Sequence, residues 1–379
     1  LEWVQIDIIN EVNVSVIPPQ SVDGISGKDA DVFEGFIIDD IHLPSGEYFL
    51  RVRAFDGENE KSEFVEIIII EAPRKLLRTY LVSSPTATTS RVDSLQNTTL
   101  TTLSTVDVTY DVSASNSYHG ELVIGGMESG DLVILGGTDM DQTAFYSGQG
   151  NETESWYNDG IFSREQLKYY LSRVDGLVDI RRQNGSPIAS FETTSNLRPF
   201  HLGATEQAVI VEERTFSGDQ TYISAYFAST GFLNESFAIE GQLTKILALG
   251  NTAYLFGNDE DGAAIYSYSV GSGTVNTVVE FVDETLRDAI FYSGPEASEL
   301  VVLAFQNRTQ VLNLGSPTQI FPEWEWMQGG EELDFEDISG RLLLRDDDIL
   351  YELIPNQADP PIFMSLPSGT EAIHFLYNK

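Results

Sequence analysis

Short apolar runs, each followed by a turn, recur along most of this chain. Apolar and polar positions alternate with a period of two rather than 3.6, which predicts strands and not helices. Gly46-Glu-Tyr-Phe-Leu-Arg-Val-Arg-Ala54 puts Tyr48, Leu50, Val52 and Ala54 on one face. Phe55–Asn59 supplies turn residues, and Phe64–Ile70, rich in β-branched side chains, reads as the return strand. Beyond residue 76 one type of run recurs: Thr79–Val82, Glu121–Ile124, Lys168–Leu171, Ala208–Val211, Ala253–Phe256, Leu300–Leu303 and Arg341–Leu344. The third residues of these runs are Leu81, Val123, Tyr170, Ile210, Leu255, Val302 and Leu343, so the spacings are 42, 47, 40, 45, 47 and 41.

A partner strand follows each run, for example Asp131–Leu135, Thr221–Ser224 and Asp348–Tyr351, and a third strand follows a Gly, Asn or Pro turn. Seven copies at this period predict a seven-bladed β-propeller with four antiparallel strands per blade. The first copy begins at its second strand, and a surplus strand, Glu371–Tyr377, follows the last. Pairing that strand with Thr79–Val82 would close the array and remove its open edges. Other expected innermost strands are Val108–Val112, Pro199–Leu202, Lys245–Leu249 and Asp288–Tyr292. One stretch has a helical start signal: Ser163 is a possible N-cap with Gln166 three residues on, sufficient for at most one turn before Lys168.

The pattern therefore gives an all-β chain: an N-terminal immunoglobulin-like β-sandwich at 1–72, a linker at 73–76, and a seven-bladed propeller at 77–379 closed by the C-terminal strand. The segment Ser45-Gly-Glu-Tyr-Phe-Leu-Arg-Val-Arg-Ala-Phe-Asp-Gly57 resembles the last strands of a fibronectin type III or related immunoglobulin-like module. Ala253-Tyr-Leu-Phe-Gly-Asn258 with Ala264-Ile-Tyr-Ser-Tyr268 faintly resembles a kelch blade, without its Gly-Gly pair and later Trp. The layout is similar to that of bacterial cell-surface lipoproteins. The resemblance implies an extracytoplasmic location, secreted or held at the cell surface, with a possible lipid anchor upstream of Leu1.

Charge narrows the partners. The 379 residues include 21 Lys+Arg and 59 Asp+Glu, a net charge of −38. Nucleic-acid binding rests on neutralising phosphates with basic residues, so this balance argues against it, and equally against anionic lipid. No apolar run reaches the length of a membrane span. The hydrophobic fraction of 41% is enough for a proper core, and the absence of cysteine removes thiol catalysis, disulfides and Cys-bound zinc. The acidic surface is expected to keep the chain soluble and monomeric through self-repulsion.

The candidate chemistry is sparse. The four histidines are His42, His119, His201 and His374, the last two in expected inner strands that could face a central channel. No Gly-x-Ser-x-Gly elbow occurs. Asp259, Asp261, Asp139 and Asp141 are weak calcium candidates without the full ligand loop, and Asp346–Asp348 falls in a hairpin turn. No cofactor is expected. Glu323, Glu325, Glu331 and Glu332 offer carboxylates of the kind glycoside hydrolysis uses in pairs. Two connections between outer and inner strands carry tryptophan, Gln149–Tyr157 and Phe321–Gly330. Trp156, Tyr157, Trp324 and Trp326 are accordingly the candidate ligand-binding residues, able to anchor a protein or to stack on a polysaccharide. The expected function is binding or scaffolding through one propeller face. A glycan-active enzyme at the channel mouth and a structural spacer are the alternatives; no catalytic residue is assigned.

Overall fold

A computed structural model describes residues 2–10, 15–23, 46–70, 74–117, 120–126, 131–137, 139–147, 157–163, 166–292, 299–319 and 321–378. The protein is all-β: the described residues form eight four-stranded antiparallel sheets and contain no α-helix. The chain divides into two compact units, Leu1–Arg74 and Lys75–Asn378, with Lys379 grouped with the first.

The first unit contains one sheet among the described residues, in the order Ser15–Asp23, Trp3–Ile9, Gly46–Phe55, Glu60–Ile69. The hairpin expected at its end is present, with Leu50 opposite Val65 and Val52 opposite Glu63. Its turn is held by Asp56, whose Oδ1 accepts the N–H groups of Glu58 at 3.0 Å and Asn59 at 2.7 Å. This is the local side-chain-to-backbone bonding that makes Asp a turn residue. The buried apolar side chains come from the opening strand, Val4, Ile8 and Ile9, while Tyr48, Leu50 and Val52 are half-buried. Asp7, also buried, is held by Arg51 through Nε at 2.9 Å and Nη2 at 2.5 Å. A buried carboxylate needs such a bidentate partner.

The described residues of the second unit form seven sheets. The first sheet joins the two ends of the unit: Thr370–Tyr377 pairs with Leu76–Thr86, followed by Thr89–Gln96 and Thr99–Val106. His374 lies opposite Tyr80 and Ile373 opposite Leu81, the pairing expected from the surplus strand. The next six sheets are each a run of four consecutive strands, opening with Tyr110–Asn116, Tyr157–Ser163, Leu197–Ala204, Gln242–Leu249, Leu286–Phe291 and Glu332–Glu336. Each opening strand is a neighbour of the next, and Thr370–Tyr377 neighbours both Tyr110–Asn116 and Glu332–Glu336.

Apolar side chains fill the spaces between adjacent sheets. Leu81 and Ile373 of the first sheet pack with Leu343 and Leu350 of the seventh. Val112 and Ala114 of the second pack with Tyr157, Tyr169 and Leu171 of the third. In the second, third, fourth and sixth of these sheets the second strand is buried on both faces, which explains why those strands read as unbroken apolar runs rather than alternating ones.

Polar side chains add links from sheet to sheet. Asn258 clamps the fifth sheet to the sixth, its Oδ1 accepting the N–H of Leu286 at 2.7 Å and its Nδ2 donating to the Leu286 carbonyl at 2.9 Å. Glu212 accepts the N–H of Leu243 at 2.9 Å. The stretch around Ser163 forms no helix in the described residues: Ser163 ends a strand, its Oγ accepts the N–H of Gln166 at 3.3 Å, and Lys168–Arg173 is a strand.

A charged cluster on the opening strands as candidate functional site

The opening strands carry charged residues in the middle of otherwise apolar sequence. Asp159, His201, Lys245, Asp288, Glu332 and Asp334 each sit on such a strand. They converge. Lys245 feels the fields of Asp288, Glu332 and Asp159, although Glu332 and Asp159 belong to sheets two places away on either side. Charges on strands that are not neighbours sense one another in this way when their side chains turn toward a common space.

The geometry is one of paired charges. Lys245 Nζ lies 3.0 Å from Asp288 Oδ1, and Asp288 is 6% exposed while Lys245 keeps 42% of its side-chain surface open to water. Arg345, from the strand beside Glu332–Glu336, reaches Glu332 through Nη2 at 2.7 Å and Nε at 2.9 Å. His201 Nδ1 is 3.8 Å from Asp159 Oδ2. His374 Nε2 and Ser113 Oγ are hydrogen-bonded at 2.7 Å, and Ser113 Oγ is 3.0 Å from the Tyr110 hydroxyl. Three of the carboxylates also accept backbone N–H groups from a neighbouring sheet: Asp111 from Tyr157 at 3.1 Å, Asp159 from Leu202 at 2.8 Å, and Asp288 from Leu333 at 2.8 Å. These bonds make the same side chains both structural ties and charge centres.

Asp334 is different. It is buried, and its Oδ2 has no hydrogen-bond partner among the described residues. Burial together with the fields of Glu332 and Asp288 raises its carboxyl well above the usual range, against the weaker pull of Lys245 and Arg345. Asp159 moves the other way. Burial alone would raise it, but His201, the Leu202 N–H and Lys245 outweigh that and hold it below the ordinary value. Burial pushes His374 down to about 4, keeping its imidazole neutral. Asp111 is raised to about 6 by burial, offset in part by the Tyr157 N–H.

The aromatic candidates are placed elsewhere. Glu325–Trp326 is the fourth strand of the sixth sheet, with Trp326 opposite Thr309, and not a connection between sheets. Alternation explains it: Glu325 and Met327 point to solvent while Trp326 is 0% exposed and donates from Nε1 to the Ile354 carbonyl at 2.9 Å. Trp324 is half-buried and packs edge-on against Tyr292 at 4.9 Å and Trp326 at 6.1 Å. Tyr157 is buried between the second and third sheets, and burial pushes its hydroxyl up to about 12. Trp156 lies outside the described residues, as do His42 and His119.

The weak calcium candidates have structural uses or stay apart. Asp259 Oδ1 accepts the N–H groups of Asp261 at 2.8 Å and Gly262 at 3.0 Å, which shapes a hairpin turn. Asp139 and Asp141 are exposed, and among the described residues no group of three metal-ligating side chains is assembled. Of the four glutamates singled out from the sequence, Glu332 and Glu331 border the cluster. Glu325 pairs with Arg308 at 3.0 Å, and Glu323 is exposed. Sequence reasoning found His201, His374 and Glu332 but missed Asp159, Lys245, Asp288, Asp334 and Arg345. Of the missed residues only Lys245 and Asp288 fell in expected inner strands, and nothing local in the sequence told them from charges facing water.

No protein-family model matches the chain, and no curated protein matches it.

Proposed function

We propose that the second unit is a seven-bladed β-propeller, that the first is an immunoglobulin-like module, and that the chain is an extracytoplasmic binding protein taking a polysaccharide at the end of the propeller axis. The propeller reading draws on the seven repeats, the neighbouring opening strands, and the sheet that joins both ends of the unit. One observation carries the functional reading: the charged cluster gathers donors and acceptors on the opening strands and leaves Lys245 partly open to water. Ionic groups are costly to gather where apolar packing would serve a pure spacer. Charged donors and acceptors side by side suit a ligand rich in hydroxyl groups, each of which both donates and accepts.

The test is thermal shift of the whole chain against a panel of neutral and acidic polysaccharides, since a ligand that binds the native state raises the melting temperature. At least one polymer should stabilise the protein, and Lys245→Met should abolish the shift. A response that Lys245→Met leaves unchanged, or no response to any polymer, removes the axial site.

A glycan-active enzyme is the second reading, favoured by one specific feature. Asp334 is buried within the cluster on the same strand as Glu332, and burial with the fields of Glu332 and Asp288 raises its carboxyl well above the usual range, the protonated state a general acid needs. In that case Asp334→Asn would abolish hydrolysis of the bound polymer while leaving its binding intact; turnover unchanged in Asp334→Asn would exclude Asp334 as the acid.

A further inference from the structure

A polar cavity of about 880 Å³ lies between the fourth and fifth sheets of the second unit, walled by residues 218–222, 238–244 and 258–261. Its size is in the ordinary range for ligand pockets. Gln242 and Thr244 form part of one wall, and the next residue on that strand is Lys245 of the charged cluster. Gln242 and Lys245 are three residues apart, roughly 10 Å along the strand. The strand is irregular at this point: its register shifts between Leu243 and Lys245, with Thr244 as the extra residue. In a regular strand Leu243 and Lys245 would share a face. The bulge separates them, so Leu243 packs in the core, Thr244 lines the cavity and Lys245 reaches Asp288.

The walls are held from behind. Glu212 accepts the Leu243 N–H and the Nε of Arg214, the latter at 2.8 Å. Arg214 donates from Nη2 to the Leu243 carbonyl at 3.2 Å and from Nη1 to Gln242 Oε1 at 3.0 Å. On the facing sheet the Tyr222 hydroxyl donates to Gln220 Oε1 at 2.8 Å. Each glutamine therefore has its carbonyl oxygen occupied, which fixes the amide orientation. The Nε2 groups of both have no acceptor among the described residues. Asp259 uses Oδ1 for its turn, and its Oδ2 accepts nothing among the described residues. The cavity thus presents oriented donors and a vacant acceptor, with no lysine or arginine in its walls.

We propose that this cavity extends the axial site and takes further sugar units of a neutral polysaccharide whose end lies at Lys245. The hydroxyl groups of those units would accept from Gln220 and Gln242 and donate to Asp259. Neutrality follows from the walls: Asp219, Glu240, Asp259, Glu260 and Asp261 give a uronate carboxylate only like charge to meet. A basic peptide would suit those carboxylates, but it would leave both amide donors unused and meet a cation, Lys245, at the inner end. The proposal rests on the polysaccharide reading above and adds to it the sign of the ligand's charge and the path of its chain.

The experiment is isothermal titration of the full chain with the hexasaccharides and disaccharides of a neutral glucan, mannan and galactan, with hexagalacturonate and with hexalysine. At least one neutral hexasaccharide should bind at least tenfold more tightly than its own disaccharide, hexagalacturonate and hexalysine. Gln220→Trp, at an exposed position of the wall, should fill the cavity and bring the hexasaccharide down to the affinity of the disaccharide. Gln242→Ala should weaken the hexasaccharide alone, and decides the matter if Gln220→Trp does not fold. Lys245→Met should abolish binding of both lengths, as the axial site requires. A hexasaccharide that Lys245→Met abolishes, but that gains nothing over its disaccharide or is unaffected by Gln220→Trp, overturns the extension and leaves the axial site standing. Binding that Lys245→Met leaves unchanged, or no binding of any neutral hexasaccharide, overturns both. Equal affinity for hexagalacturonate overturns the neutral selection, and equal affinity for hexalysine overturns the sugar.

Discussion

Lys245 Nζ sits 3.0 Å from Asp288 Oδ1, while the other oxygen of the same carboxylate accepts the backbone N–H of Leu333 at 2.8 Å. One side chain of the sixth sheet therefore ties the fifth and the seventh. Asp288→Ala leaves a buried N–H without an acceptor and Lys245 without its counter-ion, and should cost about 2–4 kcal/mol in urea unfolding. Lys245→Met should cost less, about 1 kcal/mol, because the lysine is partly solvated and its stem can be replaced by apolar atoms. Equal losses in the two variants would show that the Leu333 link contributes nothing.

His374 gives a pH dependence with a definite sign. Its folded-state value is lowered to about 4 from 6.5 by burial. The folded protein then binds fewer protons than the unfolded chain between these values, so the contribution of His374 is complete above pH 6.5 and is lost as pH falls toward 4. Asp111, raised to about 6, acts in the opposite sense, its contribution being lost as pH rises through that value. The comparison that isolates the histidine is wild type against His374→Asn. Their stability difference should shrink by on the order of 2–3 kcal/mol from pH 6.5 to pH 4; a constant difference would mean that the imidazole is not held neutral by its surroundings.

Deleting residues 370–379 removes the strand that pairs with Leu76–Thr86 and strips the cover from Leu81 and Tyr80. An uncovered strand edge is a template for pairing with another chain. The truncated protein should elute as oligomers or aggregate in size-exclusion chromatography; a monomer with unchanged melting temperature would contradict this.

The two tryptophans of Phe321–Gly330 should separate in stability. Trp326→Ala removes a fully buried indole and its bond to the Ile354 carbonyl, and should cost about 3–5 kcal/mol. Trp324→Ala, half-buried against Tyr292, should cost about 1–2 kcal/mol. Denaturant midpoints at constant m-value measure both, and a Trp326 loss below that of Trp324 would reverse the packing order.

Leu50→Ala tests the first unit. Half-buried opposite Val65, Leu50 should contribute about 1–2 kcal/mol, less than Ile8→Ala at a fully buried position of the adjacent strand. If Leu50→Ala proves the more damaging of the two, Leu50 is covered more completely than Ile8, its cross-strand neighbour on the same face.

The strands were legible in the sequence because period-two alternation, β-branched runs and turn residues act over a few neighbours. The hairpin at Gly46–Ile69 and the return of Glu371–Tyr377 to Thr79–Val82 could be read from such local signals and their repeat. Burial of Trp326 could not, because Phe321–Gly330 looks like a long loop until Glu325–Trp326 adds to the edge at Thr309 and Gln310. The charged cluster was hidden for a deeper reason. Asp159, Lys245, Asp288 and Asp334 are isolated charges in separate strands, each indistinguishable in sequence from one facing water. Bringing them into range of one another, raising Asp334 and lowering Asp159, depends on how successive sheets pack. Alternation along the chain determined which residues form strands; the dielectric and the neighbours that set their charge were decided by the tertiary packing alone.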